Sequence, residues 1–336
     1  MKISIENFDG PFQKIHINRI LWIEDLRILK TTFEFAEMLS DQIRKRIAEL
    51  NQRSLKHSPL ESVDGTDEDL PQGEAENHAQ NSVYASAQDA RRNLAIDEAE
   101  GGHEVHTEFG SFLLIDQPFD AWIPGNGKAF LEKYVHRLQS LETPPEDRHD
   151  SFHPLVDAGP NDLIYLDIET TGLSPGTPLF LIGALIYEDH TLKVRQMLAR
   201  DYTEEAALLS YFADLLEKAG VVFSFNGKAY DLPYIRDRSL YLGVPFRLRQ
   251  PHIDLLHIAR RRWRESLPNC KLLTLERYIC LRTRQGDIPG WEIPDAYHRF
   301  VQTGNATQMR DILYHNALDL ITMAEVMLFI LEDRRL

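Results

Sequence analysis

The order of apolar runs in the C-terminal half of the chain is the feature that most constrains its fold. Runs at residues 163–167, 179–187 and 192–199 predict strands, and a polar turn at 188–190 joins the second to the third. Amphipathic stretches then alternate with two further short apolar runs and end in a long helix over 307–332. This order predicts an α/β domain with a mixed five-stranded sheet and helices on both faces.

An N-terminal extension and an acidic linker precede this domain. Within residues 1–53, apolar side chains recur at the helical period over 31–53, which predicts an N-terminal helical extension. Its apolar stripe must be covered, either by the rest of the chain or by a partner protein. Residues 54–106 are acidic and poor in large apolar side chains, so we expect a disordered linker.

The lead-in segment 107–160 carries its own strand and helix patterns. An apolar run at 110–115 predicts a strand or hairpin, and a helix is expected near 127–141. We expect both elements to pack on the α/β domain, which spans residues 161–336.

The net charge of −15 argues at first against a nucleic-acid partner, but the charge is unevenly distributed. Residues 56–104 hold twelve acids and three bases, so the linker region supplies most of the negative charge. Residues 228–284 hold thirteen bases and five acids. This local positive excess suits phosphate groups, and solvated helix faces are the alternative interpretation.

The cysteines and the apolar runs bear on the cellular environment. Cys270 and Cys280 lack zinc-ligand spacing, so they are interpreted as reduced thiols. The first residues lack the apolar region of a secretory signal, and a cytoplasmic protein is expected. The apolar run at 179–187 is too short to span a bilayer, so no membrane partner is predicted.

Asp167 and Glu169 are the first candidate metal ligands. They lie at the end of the first predicted strand, where residues i and i+2 project to the same side. Two carboxylates held this close repel each other unless a cation lies between them. The pair therefore predicts a metal site at the end of a core strand, although so short a pattern also occurs by chance.

Three motifs in order carry a family resemblance. The segment DIETTGL at 167–173 resembles the first motif of the DnaQ-like, or DEDD, exonuclease superfamily. NGKAYD at 226–231 is similar to the second motif, as found in the proofreading domain of family B polymerases. YHNALD at 314–319 stands where the third motif is expected, on the last helix.

A narrower resemblance covers residues 110–336. The segments LARDYTEE (198–205), DLLHIARR (254–261) and DIPG (287–290) are similar to the YprB-type ribonuclease-H-like family. The resemblance implies the ribonuclease-H-like fold and a helicase as a protein partner. The N-terminal helix is a candidate contact for such a partner.

The resemblance implies a 3′→5′ exonuclease that uses two divalent ions, Mg²⁺ or Mn²⁺. Asp167 would bridge both ions, Glu169 and Asp319 would complete the site on the nucleophile side, and Asp231 would hold the second ion. Two such ions can activate water, neutralise the phosphate and stabilise the leaving oxygen. The expected partner is a nucleic acid with a single-stranded 3′ end. The choice between DNA and RNA, and between single-stranded and double-stranded substrates, stays open.

The general base is the point at which the third motif departs from the superfamily. Its members carry either His five residues or Tyr four residues before the last Asp, whereas here Tyr314 is at −5 and His315 at −4 of Asp319. A residue four positions earlier lies on the same helix face. Helix geometry therefore favours His315 as the base, with Tyr314 as the alternative.

Other residues receive substrate or structural roles. By resemblance, Leu173, Asn226 and Tyr230 contact the terminal nucleotide and Thr170 places backbone amides near it, with core packing or simple turn chemistry as the alternative for Tyr230 and Thr170. Asp254 is interpreted as a helix cap rather than a ligand.

Two other functions are compatible with the same motifs. An endonuclease would use the same metal site and would cut a circular substrate. A catalytically silent nucleic-acid-binding or scaffold module would keep the fold without turnover, and the exchanged Tyr-His pair is the feature that favours it.

Overall fold

The computed structural model describes Ile96 and residues 102–332, with gaps at residues 124, 126, 142–149 and 285. The predicted N-terminal helix and most of the predicted linker lie outside these residues.

A seven-stranded mixed sheet organises the described part of the chain. The strands are β1 (Gly102–Thr107), β2 (Gly110–Pro118), β3 (Leu163–Thr170), β4 (Leu179–Glu188), β5 (Thr191–Leu198), β6 (Val221–Ser224) and β7 (His252–Asp254). Their order across the sheet is β1-β2-β5-β4-β3-β6-β7. The strands β3, β6 and β7 run parallel, and the other neighbouring pairs are antiparallel.

Strand β4 lies at the centre because it is apolar on both faces. Its residues from Leu179 to Ile186 are all buried. A continuous apolar run of this kind is typical of a strand that is covered on both sides.

The predicted mixed sheet is confirmed, and its five expected strands are β3 to β7. The hairpin of β1 and β2 adds two more strands at the β5 edge, where β2 pairs with β5 over 113–118. Residues 102–106 correct the expected linker boundary, since they form β1 instead of a disordered segment. Backbone pairing with β2 and the ion pair of Glu104 with Arg200 hold this polar strand in place.

Eight helices and two 3₁₀ segments (Asp150–Leu155 and Pro160–Asp162) accompany the sheet in the described residues. The helices are α1 (Phe119–Trp122), α2 (Gly127–Gln139), α3 (Glu205–Glu217), α4 (Asp231–Leu242), α5 (Leu255–Trp263), α6 (Leu272–Tyr278), α7 (Ile293–Thr303) and α8 (Thr307–Glu332).

Helices cover both faces of the sheet, as predicted. On one face α8 crosses β3, β4 and β5, and Asn316 lies so close to Gly183 that a Cβ there would stand 2.0 Å from the amide oxygen. On the other face the Phe112 ring of β2 lies 5.2 Å from the Tyr211 ring of α3.

Helix α8 is a core helix. Among the described residues it alone is long and apolar enough to cross a membrane by length and composition. However, 72 % of its most apolar window is already buried inside the protein, which is the pattern of a helix covered by its own fold.

A buried ion pair joins α3 to α4. The Arg238 guanidinium donates through Nε and Nη2 to the two carboxylate oxygens of Glu205, each at 2.6 Å. Both side chains are buried, and Glu205 also accepts the backbone N–H of Leu179 at 2.9 Å. Removing one partner would leave the other charge buried without compensation.

We expect Arg238→Met to lower the free energy of unfolding by about 3–5 kcal/mol, because it leaves the Glu205 carboxylate buried without its cationic partner. Urea denaturation measures the change. The matched control is Arg236→Met, which removes an exposed pair with Asp237 and should cost less than about 1 kcal/mol. Equal losses in the two variants would contradict the role given to the buried pair.

Candidate active site

Strand β3 positions two of the four predicted carboxylates. Asp167 and Glu169 flank the buried Ile168 and therefore project to the same side of the strand. Asp167 is paired across the sheet with Gly183. The side-chain amide of Asn316 on α8 donates to Asp167 Oδ2 at 2.8 Å and fixes the orientation of that carboxylate.

A tight turn after β6 positions Asp231 at the start of α4. Asn226 has a φ of 68°, a left-handed conformation that Asn tolerates better than most residues. Gly227 follows, and a Cβ there would lie 2.3 Å from Ser224 Oγ and 3.2 Å from Asp231 Oδ2. Only glycine allows this approach, which brings Asp231 to the carboxyl ends of the parallel strands.

The prediction that Asp254 caps a helix is confirmed. Its carboxylate accepts the backbone N–H of Leu256 at 3.1 Å at the start of α5. It also accepts the N–H groups of Asn226 at 2.8 Å and Lys228 at 3.1 Å. One buried side chain thus fixes both the helix and the turn that carries Asp231.

Helix α8 places His315 and Asp319 one turn apart. The His315 Nε2 atom lies 3.7 Å from Asp319 Oδ2. Its Nδ1 atom lies 2.8 Å from Asp287 Oδ1. Tyr314 faces elsewhere and contacts the Trp122 ring at a centroid distance of 6.4 Å. Of the two candidate bases, only His315 therefore lies beside a predicted metal ligand.

The four carboxylates lie close together, with Asp231 buried and the other three half-buried. Burial raises the pKa values of Asp167 and Glu169 well above their ordinary range, and the nearby Asp319 charge raises them further. Burial also raises the pKa of Asp231 to about 7, with contributions from the charges of Asp254 and Asp319. Four carboxylates this close together repel one another when ionised, so a nearby cation is needed to stabilise their charged forms.

Arg284 supplies one cation, which the sequence reasoning missed. Its guanidinium contacts the Asp319 carboxylate, donates to Glu276 Oε2 at 2.7 Å and lies 3.3 Å from Asp287 Oδ2. Its side chain is only 3 % exposed. Arg284 and Asp287 lie between α6 and α7, and the DIPG resemblance (287–290) was the only sequence signal near them.

The donor set fits hard divalent cations, which prefer carboxylate oxygens. The four carboxylates are not placed as they would be around a bound ion. Among the described residues, no three His, Cys, Asp or Glu side chains are grouped as metal ligands. Asp319 contacts Arg284, and one oxygen of Asp167 accepts from Asn316. Protein donors therefore occupy carboxylates that a metal would need.

The predicted substrate contacts fall into two groups. Thr170 and Tyr230 lie together, with their hydroxyl oxygens 2.9 Å apart, and both hydroxyls donate to the carbonyl of Gly172. These contacts support a structural role in holding the turn after β3. Leu173 is 92 % exposed and Asn226 is also exposed, so both are free to contact a ligand.

The comparison with known proteins identifies the class of domain. Residues 164–330 match the family model RNase_H_2 of the RNase_H superfamily. This half of the chain, which contains all four carboxylates, is a domain of that superfamily, and the predicted ribonuclease-H-like fold is confirmed.

Two curated relatives refine the assignment. The chain is 29 % identical over 269 residues to the uncharacterized protein YprB of Bacillus subtilis, covering 72 % of this chain and 64 % of YprB. The chain thus spans less than two thirds of the length of YprB. This match and the domain match together confirm the predicted YprB-type family. It is also 29 % identical over 161 residues to the uncharacterized protein MJ0365 of Methanocaldococcus jannaschii, covering 46 % of this chain and 87 % of MJ0365.

Among solved structures, the family B DNA polymerase of Pyrobaculum calidifontis is similar at a TM-score of 0.40 and 17 % identity. The similarity covers 48 % of this chain and 23 % of the polymerase. So low a score carries no inference about function.

The stability of the metal-free protein should depend on pH in a definite direction. The folded-state pKa of Asp231, about 7, exceeds its ordinary value of 3.8, so its contribution to stability is lost as pH rises through about 7. Burial lowers the pKa of His315, but its hydrogen bond to Asp287 and the charges of Asp319 and Asp287 together raise that pKa above its ordinary value, which acts in the same direction. We therefore expect the Tm in EDTA to fall as the pH rises from about 4 to about 7, the interval between the ordinary and the folded-state pKa of Asp231.

Asp231→Asn tests this expectation, because it removes one titrating carboxylate. The variant should show a shallower fall of Tm with pH than the wild type in EDTA. Asp214→Asn, an exposed change on α3, is the control and should match the wild type. Parallel Tm profiles for the wild type and Asp231→Asn would contradict the burial of charge at this site.

Proposed function

We propose that this chain is a metal-dependent 3′→5′ exonuclease that hydrolyses phosphodiester bonds of DNA or RNA. One observation carries the proposal: Asn316 of α8 donates to the Asp167 carboxylate of β3 at 2.8 Å, and besides burial the charges of Asp319, Glu169 and Asp231 raise the pKa of Asp167. Four acids from three separate elements are therefore concentrated at one point in an RNase_H superfamily domain.

These four residues would hold two divalent ions, Mg²⁺ or Mn²⁺. When bound, such ions neutralise charge on the phosphate and stabilise the leaving oxygen. The backbone of β3 holds Asp167 and Glu169, and the first turn of α4 holds Asp231. Arg284 would have to release Asp319, and its guanidinium would then be available to a phosphate oxygen.

His315 would act as the general base. A neutral imidazole that donates from Nδ1 to Asp287 keeps its Nε2 lone pair on the side of Asp319. That nitrogen would take a proton from the attacking water. Asp287 would fix the ring orientation and stabilise the charged imidazolium that forms.

The 3′→5′ polarity is supported by the motif resemblance and by exposure near the site. Leu173 projects into solvent directly after the Asp167–Glu169 pair, where it can pack against a terminal base. A protein partner at the N-terminal helix and a cytoplasmic location stay predictions.

A cleavage assay with 5′-labelled single-stranded DNA and RNA tests the activity in Mn²⁺. The wild type should produce ladders shortened from the 3′ end. Asp167→Asn should slow cleavage by more than about 100-fold, since even the outer-shell partners of metal ligands contribute about 10–100-fold. Asp214→Asn should cleave like the wild type. Ladders that persist in Asp167→Asn would contradict the assigned site, and cleavage of circular DNA would favour an endonuclease.

The contact of Arg284 with Asp319 favours a second candidate, a catalytically silent nucleic-acid-binding module. In that case the guanidinium would be a permanent replacement for the metal. Titration calorimetry with Mn²⁺ distinguishes the two functions. Heat of Mn²⁺ binding that is present in the wild type and absent in Asp167→Asn supports the exonuclease. If the wild type binds nucleic acid but shows no heat of Mn²⁺ binding, the silent module is supported.

Asp287→Asn tests the orientation of the base. We expect kcat to fall by roughly 10–100-fold, as for other outer-shell carboxylate–histidine pairs, with little change in KM. Arg284 keeps its contact with Glu276, so the variant should remain folded. A change confined to KM would contradict a role in positioning His315.

A further inference from the structure

A cleft opens beside the second motif, outside the carboxylate site. It has a volume of about 430 Å³ and is lined by residues that include Phe225, Asn226, Arg260, Asn269, Lys271 and Leu272. The cleft lies past the carboxyl end of β6, an edge where α/β sheets commonly bind ligands. Its volume falls in the range of about 300–1,000 Å³ that is usual for small-molecule sites.

The cleft is positively charged. Arg260 and Lys271 are exposed, and neither makes an ion pair with a carboxylate in the described residues. Other bases of the 228–284 segment are already used internally, as Arg238 is by Glu205 and Arg284 is by Glu276. Two bases of this segment, Arg260 and Lys271, are thus available to a ligand at this cleft.

The remaining lining groups suit a planar base. Phe225 and Leu272 provide an aromatic and an aliphatic surface. The Asn269 Oδ1 atom accepts the N–H of Lys271 at 3.0 Å and the hydroxyl of Thr274 at 2.7 Å, so its amide NH₂ is left to donate. Donors and cations beside an apolar surface match a nucleotide, which pairs a stacking base with an anionic phosphate.

We propose that this cleft binds one nucleotide of the single strand whose 3′ end enters the carboxylate site. Phe225 stacks on the base, and Arg260 and Lys271 contact the phosphates. Asn226 connects the two sites, because it lines the cleft and begins the turn that positions Asp231. The inference rests on the proposed function and extends it to a second strand contact.

Fluorescence anisotropy with a short 5′-fluorescein oligothymidylate tests the cleft in EDTA, where cleavage is blocked. The double variant Arg260→Ala/Lys271→Ala should raise Kd at least about tenfold and reduce the slope of log K against log salt by about 1.4, at about 0.7 per single-strand phosphate contact. Phe225→Leu should raise Kd by about 5- to 150-fold while leaving the salt slope unchanged.

The control is Arg247→Ala/Arg249→Ala, which removes the same charge from the segment before β7, at the opposite end of the parallel strands. A double cleft variant that binds like this control, with the same salt slope, overturns the proposal. Binding of thymidine monophosphate that an oligothymidylate cannot displace also overturns it, in favour of a free-nucleotide site. Loss of binding in the cleft variant supports the cleft even if no Mn²⁺-dependent cleavage is found, because the assay contains no metal.

Discussion

Burial of like charge is the constraint on which the rest of this structure depends. Carboxylates from β3, α4 and α8 lie close together, and burial, with the charge of Asp319, raises the pKa values of Asp167, Glu169 and Asp231. A fold can keep such a group only if it also supplies positive charge and hydrogen-bond donors. Here Arg284, His315 and Asn316 serve that purpose without a metal. The same three contacts must be rearranged or supplemented when a divalent ion binds.

Local signals account for the parts of the structure that could be predicted. The long helix spans Thr307–Glu332 as its period predicts, because its apolar pattern is continuous and strong. Alternation along β3 placed Asp167 and Glu169 on one side, and helix geometry placed His315 beside Asp319. The turn at 226–231 was found by motif resemblance, since no periodic pattern describes it.

Long-range pairing and irregular loops account for the parts that could not be predicted. Strand β1 looks polar by itself, and its place in the sheet depends on pairing with β2, which in turn pairs with the distant β5. Arg284 and Asp287 occupy a loop whose sequence has neither helical nor strand periodicity. Their contacts with α8 therefore could not be predicted from the sequence.

Gly183 shows how closely the core and the chemistry are connected. It lies beneath Asn316, and that amide is the donor that orients Asp167. Replacing glycine by alanine within a structure is often a route to a more stable protein. Here a single added methyl group would push against the amide and turn the Asp167 carboxylate, which belongs to another strand. Side-chain volume at position 183 therefore changes the orientation of a candidate metal ligand, and this limits which residues the centre of the sheet can accept.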